Sequence, residues 1–337
     1  MPRGAQKDRL LSPAWTGGAA PARASRHLRL AAACCAALVS LAACATIPQR
    51  TTSEWTGVLP PGATLYASLA VKGSADFIKR LLKESGPGAQ DLNALIDRTD
   101  RMVASVTLSR GEQPQFSVVA LGSYPSAFIG MRLAGNKEWA RKSGDTGGWW
   151  EWGKVGLQMS IPNDAIMLAA NGDVQSLLAR WGSPRPLPVP ADVAEDMQKM
   201  AFVLYMPELP GGMTENAEKN GVHLPIQDVW MSASKAPGAY VVSGTANTTT
   251  EKEAKLLTLV IRLGVVAWMR TQNVPNTSER LKTISVVPVG TQVRLSGMRV
   301  GEDELIPLFL ALLKSMSPPA EPPVEPDGGA PLPEDTP

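Results

Sequence analysis

The chain has 337 residues, 44% apolar and 19% charged, which is enough for a large hydrophobic core and excludes a disordered chain or a polytopic membrane protein. The net charge of +2 conceals a partition: 6 of the 33 basic and 1 of the 31 acidic residues fall in the first 43, leaving 27 basic against 30 acidic beyond them. All 3 cysteines and 1 of the 2 histidines also lie within the first 44 residues, so the rest has no disulfide framework and no histidine-based metal cluster.

The N-terminus has the layout of an export signal. Arg23, Arg26 and Arg29 precede a run of 14 uncharged residues, Leu30 to Ala43. The run closes on Leu41, Ala42, Ala43 and Cys44. These four residues resemble the lipobox of bacterial lipoproteins. The resemblance implies cleavage between Ala43 and Cys44, diacylation of the Cys44 thiol, and acylation of the new amino terminus. Residues 1–43 are thus expected to be a signal peptide, and Cys34 and Cys35 to leave with it. Ala45 and Thr46 follow the cysteine, without the aspartate that in enterobacteria favours inner-membrane retention, which points to the outer membrane. Two or three acyl chains anchor durably where one is marginal.

Residues 44–57 are polar after the cysteine, lack an apolar period, and read as a lipidated tether. Beyond them the pattern predicts an α+β fold made of two similar units with antiparallel sheets and helices packed on one face. The first, 58–183, opens with an apolar strand over 63–71. A helix capped by Ser74 follows, with Phe77, Ile78, Leu81 and Leu82 on one stripe. Strands over 101–109 and 115–121, a hairpin over 155–170 and a helix over 173–181 complete it. Residues 184–191, with proline at 184, 186, 188 and 190, can neither be helical nor pair inside a sheet, and read as a linker. The second unit, 192–316, repeats the order: strands over 201–209, 228–234 and 239–247, a hairpin over 283–300, and a helix over 303–316. Thr250 and Glu253 form a capping box ahead of 254–269, a segment apolar nearly all round. Its short apolar run and central Arg262 favour a buried core helix over a membrane span. Residues 317–337 hold eight prolines, five carboxylates and no base, the composition of a disordered tail.

Chemical motifs are scarce. His223, the one histidine of the body, sits in a loop-like stretch and reads as solvated. Ser232-Ala233-Ser234-Lys235 spells the opening motif of penicillin-binding enzymes, but it lies on a strand pattern where residues three apart face opposite ways. The body has no block of like charge, so nucleic acid is excluded as a partner. No cofactor or metal is called for. One cluster stands out: Trp149, Trp150 and Trp152, with Trp150 and Trp152 on one strand face and Trp149 on the other. It reads first as core filling and, alternatively, as an indole platform for a sugar or apolar ligand. The expectation is a noncatalytic lipoprotein anchored in the cell envelope by its acyl chains. It would bind or scaffold an envelope protein or an amphiphile. Carriage or sensing of amphiphiles through an apolar groove is the second reading, and an envelope hydrolase the third.

Overall fold

The structure, a computed structural model, describes residues 55–85, 93–109, 113–154, 156–187, 189–210, 225–271, 274 and 276–307. Cys44, Ala43, His223 and the acidic tail lie outside the described residues. The strands are β1 (Leu65–Leu69), β2 (Thr99–Thr107), β3 (Gln115–Gly122), β4 (Trp139–Gly144), β5 (Gly147–Trp152), β6 (Leu157–Asn163) and β7 (Ile166–Ala170), then β8 (Phe202–Met206), β9 (Ile226–Ala236), β10 (Ala239–Thr248), β11 (Ser285–Val289) and β12 (Gln292–Val300). The helices are α1 (Ala75–Ser85), α2 (Asn93–Ile96), α3 (Ser126–Ala134), α4 (Val174–Gly182), α5 (Ala191–Lys199), α6 (Glu251–Thr271) and α7 (Thr277–Thr283); a further helix starts at 302.

All twelve strands join one antiparallel sheet in the order β11-β12-β10-β9-β8-β1-β2-β3-β7-β6-β5-β4. The α+β class with antiparallel strands is therefore the observed one. Read outward from the centre, β1-β2-β3-β7-β6 and β8-β9-β10-β12-β11 have the same connectivity. They meet at an antiparallel β1·β8 seam, where Tyr66 pairs with Tyr205 and Leu69 with Phe202. The first half is longer by the β4–β5 hairpin, which pairs onto β6.

The helices are dealt to both faces. Because alternate residues point to opposite sides, Tyr66, Val103, Val119, Leu168, Val203 and Tyr205 line one face. There they pack with Val174 and Leu177 of α4, Val193 and Met197 of α5, and Trp55, Val58 and Leu59. The opposite face carries α3, whose Ile129 and Leu133 lie over Leu157, Met159 and Met167. It also carries α1, with Phe77 and Ile78 near Ala233, Tyr240 and Val300, and α6, with Ala254 and Leu257 over Ala246, Val286 and Val293. A single helical layer describes neither half: the second is also covered on both sides near the seam, where α5 packs on Val203 and Tyr205 of β8 and Trp230 of β9. The first half has apolar residues on both sides of β3 and β7, and both sides need cover.

The proline segment is a strap rather than a free spacer. The Arg185 N–H donates to the Gly57 carbonyl at 3.3 Å. The Arg180 guanidinium donates to the carbonyls of Val58 (3.2 Å) and Gly57 (3.1 Å). Within the span read from sequence as tether, Trp55 is already packed, 3% exposed beside Val58 and Leu59 at 0% and 1%.

Over the seam, Arg101 ties the end of α5 to the sheet. Its Nη1 donates to Ser68 Oγ (3.1 Å) and the Met197 carbonyl (2.8 Å), and both terminal nitrogens reach the Met200 carbonyl at 3.2 Å. A cation at the end of a helix meets carbonyls that lack an intrahelical partner. Burial lowers the pKa of this guanidinium from its ordinary value.

Candidate membrane-contact site

Helix α6 begins as its capping box requires. The Thr250 N–H donates to Glu253 Oε2 (2.9 Å) and the Glu253 N–H to Thr250 Oγ1 (3.2 Å). Its inward residues Ala254, Leu257, Thr258 and Met269 are buried, and the Thr258 hydroxyl is satisfied by the Ala254 carbonyl at 2.8 Å. The Arg262 guanidinium reaches the sheet, donating to the Val286 carbonyl from Nε (3.2 Å) and Nη2 (2.7 Å).

The other side of α6 departs from the expected buried helix. Leu256, Leu259, Val260 and Leu263 are 56%, 56%, 38% and 71% exposed. At spacings of three and four residues they form one outward stripe. Lys252, Lys255 and Arg270 are exposed on the same helix. Scattered surface leucines need no explanation, but a contiguous stripe marks a contact surface. Among the described residues no helix is long and apolar enough to cross a membrane. Geometrically, α6 can lie along an apolar surface with one side still on its sheet. The sequence shows the leucines but not which of them the sheet consumes.

The indoles take the strand alternation expected of them and do not share one surface. Trp149 is 8% exposed and belongs to the core under α4. Trp150 and Trp152 are half-buried on the other face, against the α3 cluster. The Arg141 guanidinium lies 5.9 Å from the centre of Trp150, and Trp152 tilts against Trp139 at 5.8 Å. The Nε1 atoms of Trp149 and Trp152 are buried and make no hydrogen bond among the described residues, so packing rather than polar recognition fixes these rings.

Ser232 and Lys235 face opposite ways on β9: Ser232 is buried, whereas Lys235 is exposed and donates to the Gly73 carbonyl at 2.7 Å. The layer between the Tyr66 face and α4 and α5 is filled, with Tyr66, Leu177, Val193 and Met197 at most 1% exposed. A pocket of about 360 Å³ opens elsewhere, between the proline strap and α5, beside Thr56, Arg185, Leu187, Val189, Met197 and Gln198. It is at the small end for ligand sites.

A family model described as "Outer membrane-associated lipoprotein TP0453" matches residues 51–267, from ahead of the packed N-terminal turn into α6. No curated protein matches the chain. Three solved structures resemble it, crystal forms III, IV and I of TP0453. Their TM-scores are 0.56, 0.55 and 0.53 at 16%, 16% and 17% identity, each covering 76% of this chain and 97%, 98% and 96% of the other. At that identity the structures speak for the fold, and the family match for membership. The chain belongs to the family of the outer membrane-associated lipoprotein TP0453, and with it to the lipoproteins of the cell envelope associated with the outer membrane.

Proposed function

We propose that the protein is a noncatalytic lipoprotein that is cleaved between Ala43 and Cys44, acylated at Cys44, and lays the leucine side of α6 on the bilayer. There it serves as a binding or scaffolding element of the envelope. The observation that carries this reading is the stripe Leu256, Leu259, Val260 and Leu263, left exposed on a helix whose opposite side packs on the sheet through Ala254 and Leu257. Lys252, Lys255 and Arg270 on the same helix suit anionic headgroups, each contributing about 1 kcal/mol near such a surface. Acyl chains would supply retention, and the stripe would set which side of the body faces the lipid. The body's poverty in histidine and cysteine supports contact rather than catalysis.

The test is fractionation of cells making the full chain with its leader. Cys44→Ala should slow or abolish processing, change electrophoretic mobility, and move much of the protein out of the detergent-requiring membrane fraction. Adding L256Q/L259Q/L263Q should release what remains. Unchanged mobility and partition for Cys44→Ala would refute acylation at that residue. Unchanged residual partition for the combined variant would refute the role of α6.

A further inference from the structure

The sheet has two outer strands, β4 at one end and β11 at the other. They occupy different places in the repeat. The position beyond β6 is filled by β5, whereas the corresponding position beyond β11 takes no strand among the described residues, because the chain between β10 and β11 is helical. An open edge of this kind is a template for another strand.

The backbone groups on that edge follow from the hairpin. Its two-residue turn, Gly290–Thr291, makes Val289 and Gln292 the closing pair. Alternation along an antiparallel ladder then turns the backbone N–H and C=O of residues 286 and 288 away from β12. Both positions are blunted. The Val286 carbonyl already accepts two hydrogen bonds from Arg262, at 3.2 and 2.7 Å. Residue 288 is proline and offers no N–H. Proline there costs the β11·β12 ladder nothing, since that N–H would point outward.

We infer that Arg262 and Pro288 guard the open edge of the sheet, and that the strand they hold off is β11 of a second copy of this chain. Charge permits this partner, since two β11 edges meet without like-charge repulsion. β11 is Ser-Val-Val-Pro-Val with no charged residue, whereas β4 carries Arg141 and Lys142, so two β4 edges would bring like charges together. The protein already contains the geometry in its β1·β8 seam, where two halves of the same connectivity pair antiparallel, edge to edge. Val287 and Val289, 41% and 46% exposed, would gain cross-strand neighbours in such a pair.

The experiment uses the full chain with its leader, in isolated envelopes. Beyond Cys44 the chain has no cysteine, so Val287→Cys reports its own surroundings once Cys34→Ser and Cys35→Ser are added and the same chain without Val287→Cys is shown to give no dimer. Treatment with a short bis-maleimide should give at least tenfold more covalent dimer in the R262M/P288V background than with both guards in place. Pro288→Val alone, at an exposed position that restores an outward N–H without removing a contact, should raise the yield several-fold even if R262M loosens α6. Three results would overturn the inference. One is equal dimer yield with the guards intact. Another is no gain in a P288V chain whose thermal melt is unchanged. The third is capture of Val287→Cys on Ala140→Cys in preference to itself, which would mean head-to-tail pairing on β4.

Discussion

Replacing Leu256, Leu259 and Leu263 together by glutamine tests the membrane reading most directly, because the three are exposed in the folded protein and hold up little of its core. Their exposures of 56%, 56% and 71% amount to nearly two full leucine side chains available to lipid. Burying a leucine is worth roughly 2 kcal/mol, so the triple substitution should remove about 3–4 kcal/mol of binding, roughly 10²–10³-fold in partition. The assay is co-sedimentation of the chain from residue 44 onward, carrying Cys44→Ala, with vesicles of phosphatidylethanolamine and phosphatidylglycerol. Residual binding by Lys252, Lys255 and Arg270 should disappear at high salt, whereas the leucine contribution should survive it. The melting temperature should stay within about 2 °C of the parent, since exposed substitutions away from the core usually cost little. A triple variant that melts normally and binds vesicles within threefold of the parent would refute the assignment of α6 as the contact.

Other substitutions probe how the body is held. Arg101→Met keeps the stem but strips its donors from the Met200 carbonyl and leaves the Met197 carbonyl only the Ser68 hydroxyl, at 2.8 Å; a loss of about 2–3 kcal/mol, or roughly 5–10 °C by circular dichroism, is expected, and a shift under 1 °C would contradict it. Glu304 joins the helix starting at 302 to α7 through Arg280, with contacts of 2.7 and 2.9 Å and a further bond from the Gly301 N–H. The hydrogen bonds from Arg280 come first among the causes that hold its carboxyl below the usual glutamate value. A depressed folded pKa means the stabilisation is present above the unfolded value near 4.5 and is lost as pH falls through the folded one. Glu304→Gln should therefore lower the melt at pH 7 and flatten its decline between pH 5 and 3; an equal offset at every pH would refute the linkage. Gly297→Ala should cost at least about 2 kcal/mol in denaturant melts, because Gly297 sits at φ +75 and an added Cβ would lie 2.2 Å from the Thr283 carbonyl oxygen; a variant as stable as the parent would refute that close approach.

The parts legible in the sequence are those fixed by neighbours in the chain. Val103 and Val119 alternate with partners on the other face, so β2 and β3 can be read locally. The Thr250–Glu253 box is a pair of bonds spanning three residues. β4 escaped because Trp-Ala-Arg-Lys-Ser-Gly is exposed after its tryptophan and shows no apolar alternation; its pairing with β5 defines it as a strand. α5 escaped because Pro190 and the acidic residues after it look like the end of a linker, and only Val193 and Met197 are buried. Arg101 could not be singled out, since its acceptors at Met197 and Met200 lie 96 and 99 residues away. The α6 stripe is visible in the sequence as leucines but reads there as core, because hydropathy does not say how many sides of a helix the sheet can cover.

That last difference follows from the asymmetry between the two halves. Beyond β6 the first half spends its connection on a hairpin, so its end of the sheet closes on the charged β4 and its helices rest on strands already paired on both sides. In the second half the same stretch of chain forms α6, 21 residues long, over a sheet that ends at β11. A helix of that length turns about six times, and a sheet face engages only one side of it. The remaining side must be polar, covered, or apolar for a purpose, and here it is apolar. The inner residues Ala254 and Leu257 account for the fold, and Arg262 secures the edge carbonyl of Val286. Neither task requires leucine at 256, 259 or 263, where polar residues would serve stability equally and solubility better. Under the function we propose, the surface that calls for these side chains is the lipid on which α6 lies.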